Sequence, residues 1–113
     1  MSGPDWRPLG PPTDFPSGSL RGLRVEDHRL CIGHSERGLF AVSDTCPHAG
    51  GSLSEGMVKG REVICPLHAW GFDVTTGTSP EDPSCTLTVY ELRTRGDAVE
   101  VRIAPDPRRR PPA

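Results

Sequence analysis

Cys46-Pro47-His48-Ala49-Gly50-Gly51 and Cys65-Pro66-Leu67-His68 are the two stretches on which the reading of this chain turns. Each pairs one cysteine with one histidine, as Cys-x-His and Cys-x-x-His, and the 16 residues from 49 to 64 separate them. Proline and glycine make both boxes turn-like, and short apolar runs flank them, so each is expected in a loop between strands. Two such adjacent loops can close on one metal centre from opposite sides, each supplying a thiolate and an imidazole. A Cys2His2 set is also a zinc ligand set, so ligand chemistry alone leaves the metal open.

Outward from the boxes the chain reads as short strands. Apolar runs at 20–26, 29–33 and 39–42 predict three strands, with the polar break His34 to Gly38 as a hairpin loop between the second and third. Arg61 to Ile64 and Trp70 to Val74 predict two more around the second box, and Thr78 to Ser84 is a loop. Leu87 to Thr94 and Ala98 to Ile103, around Arg95-Gly96-Asp97, give the clearest hairpin signal in the chain. Prolines at 4, 8, 11, 12 and 16 predict an entry segment over residues 1–18 without regular structure over most of its length, pinned to the body by Trp6.

Length and composition agree with this pattern. A chain of 113 residues suits a single domain, and 13 glycines with 13 prolines favour a turn-rich, mostly β protein over one with long helices. The reading is one domain over residues 1–104, with a subdomain around the two boxes from about 45 to 84, and a disordered tail over 105–113. No run is long and apolar enough for a membrane helix, and the first residues lack the pattern of a secretory signal, so the expected location is cytoplasmic. In that compartment four cysteines point to metal or redox chemistry rather than to disulfides.

The tail holds three arginines and one aspartate, leaving a body of 10 basic and 14 acidic residues and a net charge of −4. That balance lacks the basic face a nucleic-acid binder needs. No phosphate-binding loop, catalytic triad or paired acids in a pocket-like context suggest a small-molecule substrate. His28 and His34 lie outside any ligand spacing and read as surface residues, Cys31 as a small buried strand residue, and Cys85 as a loop thiol.

Cys46-x-His48, a spacer of 16 and Cys65-x-x-His68 resemble the binding signature of the Rieske family at every ligand, and the likeness runs from about Phe40 to the last hairpin. The resemblance implies an all-β Rieske fold, an antiparallel β-sandwich base with a small cluster-binding β-subdomain. It also implies one [2Fe–2S] cluster per chain, one iron held by Cys46 and Cys65 and the other by His48 and His68. Such a cluster is neutral when oxidised and singly negative when reduced, whereas four thiolates would make both states two units more negative. Substituting histidine for cysteine therefore raises the potential.

Departures from the high-potential branch of the family bear on the potential. That branch joins its two loops with a disulfide at the positions of Gly51 and Leu67, and donates serine and tyrosine hydroxyls to the cluster at the positions of Trp70 and Phe72. Without those donors the expected potential is low in the Rieske range, about −150 mV. The resemblance is thus to low-potential Rieske ferredoxins, most of all to the small subunit of assimilatory nitrite reductase, with dioxygenase ferredoxins close behind. It implies an electron carrier rather than an enzyme, serving a reductase together with an oxygenase or a nitrite reductase large subunit. A zinc-stabilised interaction module is the alternative from a different class.

Overall fold

The computed structural model describes residues 6–46, 50–67, 70–80 and 85–103. Among them ten strands form three antiparallel sheets. β2 (Leu20–Val25), β3 (His28–Ser35), β4 (Gly38–Ser43) and β8 (Val89–Tyr90) make the central sheet. β1 (Trp6–Gly10), β10 (Ala98–Arg102) and β9 (Leu92–Arg95) form a second sheet in that spatial order. β5 (Met57–Lys59), β6 (Glu62–Ile64) and β7 (Gly71–Asp73) form a small third one between the two cysteine boxes and just beyond the second. The architecture is the all-β one expected.

Alternation along β3 explains how the layers stack. Leu30 and Ile32 point to one face and join Ala41, Val99, Val101, Ile103 and Phe15 in a core shared with the β1–β10–β9 sheet. Cys31 points to the other face and joins Phe40, Val42, Leu53, Val63, Phe72 and the two box cysteines in a second core. A strand covered on both faces buries consecutive residues, and Leu30, Cys31 and Ile32 are all fully buried. The central sheet is therefore a floor for the two cysteine loops as well as half of the sandwich.

Three sequence expectations need correction. The proline-rich entry segment is more regular than expected: Trp6–Gly10 pairs with β10, and Pro12–Asp14 is a 3-10 turn. An edge strand tolerates Pro8 because only one side of it bonds to a neighbour, and the register shifts between Pro8 and Gly10. Trp6 does fasten the segment, with the Arg93 guanidinium 4.0 Å from its ring centroid and Arg93 in turn bonded to the buried Glu100 at 2.7 Å.

The single strand expected over 87–94 is in fact two. Val89–Tyr90 pairs with β4, whereas Leu92–Arg95 pairs with β10, so the chain changes sheets at Glu91. The strand β5 is not legible in the sequence, because Met57–Lys59 is only three residues between glycines, yet Gly60 at φ 61° closes a tight turn that pairs Lys59 with Glu62. The loop from His34 to Gly38 is shorter than expected: Glu36 and Arg37 alone join β3 to β4, and the Ser35 hydroxyl accepts the Arg37 N–H at 3.0 Å. The expected tail over 105–113 lies outside the described residues.

Gly56 shows how closely the chain entering β5 approaches β6. A Cβ there would fall 1.8 Å from the Ile64 carbonyl oxygen, a clash with backbone that no side-chain rotation relieves. Gly56→Ala is expected to lower the thermal unfolding midpoint by roughly 10 °C. A midpoint within roughly 2 °C of wild type in a thermal scan would contradict this close approach.

Candidate metal centre

Cys46 and Cys65 sit at the ends of strands that the two neighbouring layers hold in place. β4 runs to Ser43, and Asp44 then anchors the next turn: its carboxylate accepts the Ser54 N–H at 2.8 Å and its carbonyl the Leu53 N–H at 2.7 Å. Thr45 bridges to Ser52, and Cys46 donates its N–H to the Gly51 carbonyl at 2.8 Å, so the two flanks of the first box pair up to Cys46 and Gly51. Gly50 returns an N–H to the Cys46 carbonyl at 2.8 Å and takes φ 77°, a conformation that favours glycine. On the other side Cys65 follows β6, and its N–H donates to the Trp70 carbonyl at 2.8 Å at the entry to β7.

These supports bring the two thiols together. Both cysteines are 1% exposed, and their side chains hydrogen-bond to each other. Burial pushes the Cys65 thiol up, the Cys46 thiol beside it adds to the rise, and an N–H from Leu67 directed at the Cys65 sulfur pulls the other way. A backbone N–H aimed at sulfur favours the charged thiolate. Phe72 and Leu53, both fully buried, complete an apolar surround on the inner side.

The arrangement fits a centre that takes two soft sulfur donors from one side. Thiolates select zinc, copper or iron–sulfur centres over hard cations, and two convergent buried sulfurs on separate loops give half of a four-donor set. The other two expected ligands, His48 and His68, lie outside the described residues. Among the described residues no three potential metal-ligating side chains come together.

The remaining histidines and cysteines do other work. His34 is half-buried and its Nδ1 lies 2.9 Å from the Phe15 carbonyl oxygen, while His28 Nδ1 lies 3.4 Å from the Tyr90 hydroxyl. Neither is the freely exposed surface residue expected: His34 ties β3 to the turn at Phe15, and His28 faces Tyr90 of β8. None of Cys31, Cys46, Cys65 and Cys85 is in a disulfide. Burial pushes the Cys31 thiol up to about 12, with the Asp44 carboxylate adding to the rise. In folded protein Cys31 is expected to resist maleimide while the half-buried Cys85 reacts, and mass mapping of the labelled chain checks it; prompt labelling of Cys31 would contradict its place in the core.

Two contributors to the site escape a reading of the sequence. Asp44 reads as a loop residue, although an aspartate directly before a turn is a recognisable cap for downstream N–H groups. Leu67 stands out in the sequence only as the occupant of a disulfide position, whereas in the fold it packs on Gly51, where a Cβ would meet its Cδ1 at 3.0 Å. A half-exposed leucine in a polar loop carries no periodic signal.

Comparison with known proteins adds a family. The model of the Rieske [2Fe-2S] domain matches residues 5–91. The ferredoxin component of the naphthalene 1,2-dioxygenase system of Pseudomonas aeruginosa is 30% identical over 92 residues, covering 80% of this chain and 88% of the relative. The structure of a complex of reduced oxygenase and oxidized ferredoxin in carbazole 1,9a-dioxygenase contains a chain similar at TM-score 0.77 and 32% identity, with 88% of this chain and 94% of that one covered. A putative NADH-dependent nitrite reductase small subunit from Mycobacterium tuberculosis shares the fold at TM-score 0.79 and 23% identity, over 88% of this chain and 96% of that one.

Proposed function

Because the chain belongs to the Rieske [2Fe-2S] family, whose members of this kind are electron carriers with one such cluster, we propose that Cys46, His48, Cys65 and His68 hold the cluster and that the protein hands single electrons to a terminal oxygenase. The observation that carries the ligand assignment is the pair of buried thiols, hydrogen-bonded to each other on two separate loops, each followed at ligand spacing by a histidine. When bound, the cluster supplies a one-electron couple. The protein's own part is to present the two sulfurs in an apolar pocket, direct the Leu67 N–H at one of them, and fix both loops on the central sheet.

The oxygenase reading is supported by relatives at 30% identity and above that are named ferredoxin components of dioxygenase systems. The likeness to the nitrite reductase small subunit is one of fold. Residues 1–104 act as one domain, and the cluster-binding part spans about 45–84, with 105–113 as a tail outside it. Trp70 and Phe72 stand where hydroxyl donors would raise the potential, which favours a value at the low end, about −150 mV.

Anaerobically purified protein is expected to be brown, with iron and acid-labile sulfide in equal amounts, about two of each per chain. A colourless protein with zinc would replace the carrier by a zinc module. Reduction of a dioxygenase terminal component in stopped flow, with a nitrite reductase large subunit as the competing acceptor, tests the partner. Transfer to the latter alone would overturn the oxygenase assignment.

A further inference from the structure

Leu67 stands 46% exposed beside a buried sulfur, and its side chain is nevertheless engaged. A Cβ placed on Gly51 would approach its Cδ1 to 3.0 Å and its Cγ to 3.1 Å, so the isobutyl group rests on the Gly51 backbone. The same Cβ would stand 3.7 Å from Cys65 Sγ, which places the contact next to the sulfur. One loop thereby lies across the other at the place where the two thiols meet.

Glycine at 51 is not demanded by backbone conformation. Gly50 has positive φ, but Gly51 does not, so the left-handed conformation that favours glycine is not what places one there. Room for Leu67 is what the missing side chain provides. The two loops are each fixed locally, the first by the reciprocal bonds of Cys46 with Gly50 and Gly51, the second by Cys65 to Trp70. The Leu67–Gly51 contact adds a link between them.

We propose that Leu67 is a latch seated on Gly51, which closes the two cysteine loops over the Cys65 sulfur and keeps water from it. The proposal rests on Cys65 being a cluster ligand. Leu67 is thus a positioning residue. Water near the sulfur stabilises the more negative, reduced state, so excluding it holds the midpoint potential down and slows attack on the iron–sulfur bonds.

A double-mutant cycle on the intact, loaded protein tests it, with two readouts: the midpoint potential in a redox titration and the rate of iron release to a ferrous chelator. Leu67→Ala is expected to raise the potential and to speed iron release at least about fivefold. Gly51→Ala, which displaces the leucine, should shift both in the same direction. In the Leu67→Ala background Gly51→Ala should have almost no effect, because the methyl group enters the vacated space. Leu67→Met should restore both readouts to near wild type.

Equal effects of Gly51→Ala in the two backgrounds, or a Leu67→Ala protein with wild-type potential and release rate, would overturn the latch. If Leu67→Ala does not retain a cluster, Leu67→Val replaces it, and the potential must then rank valine above leucine and methionine; any other order overturns the proposal. Iron and sulfide in the wild type are measured alongside. Their absence there would sink the ligand reading, whereas their presence leaves the variants to judge the latch alone.

Discussion

Cys65→Ser protein is expected to leave gel filtration with less than about a tenth of the wild-type iron and without its brown colour. The thiol is 1% exposed and hydrogen-bonded to the Cys46 thiol, both of which disfavour a bare thiolate, so the sulfur ionises here only where a cation compensates its charge, with the Leu67 N–H helping. A hydroxyl at the same place is smaller, far less acidic and a poorer donor to iron. Cys46→Ser should behave alike, because the first loop offers no second sulfur: Cys31 lies on β3 and Cys85 well beyond β7. Cys31→Ser and Cys85→Ser are the controls and should keep their iron. Iron retained in Cys65→Ser would show that the thiol pair is not the sulfur side of the centre.

His48→Cys or His68→Cys protein, where a cluster still assembles, is expected to have a lower midpoint potential, by on the order of 100 mV. The direction follows from charge alone. Exchanging a neutral imidazole for a thiolate makes the oxidised cluster anionic before the electron arrives, and the added electron then meets a like charge in a partly apolar site. The apolar surround of Phe72, Leu53 and Val63 offers little to screen that repulsion. Redox titration of the variant against wild type reads the shift, and an unchanged or raised midpoint would contradict the charge argument and the place given to the histidines.

Much of the fold and of the centre is legible in the amino-acid sequence. The Cys-x-His and Cys-x-x-His boxes name the candidate ligands because a ligand set depends on residue type and spacing, and both survive in a linear string. The last hairpin is legible because Gly96, at φ 60°, marks its turn in the sequence as plainly as in space. What escapes is whatever depends on a partner far along the chain. β1 is a strand because β10 lies beside it, some ninety residues later, and prolines in the segment argue locally for the opposite. Glu91 divides a run that is continuous in sequence because two sheets compete for it.

The site divides along the same line. Residue type reveals the thiols, but the buried Asp44 that anchors the first loop, and the leucine that crosses to Gly51, do their work through contacts with residues that share no pattern with them. Neither makes a motif. The second core beneath the loops is hidden too, since Cys31 in the middle of β3 reads as an ordinary strand residue until both faces of that strand are seen to be covered.

The electron paramagnetic resonance spectrum of dithionite-reduced, anaerobically purified protein tests the central claim most directly, because it reports the ligands of a half-reduced diiron unit. The account predicts a rhombic signal whose average g value lies below that of an all-cysteine [2Fe–2S] cluster, as mixed sulfur and nitrogen ligation requires. An average g value typical of four thiolates, or no signal from protein that contains zinc, would contradict it.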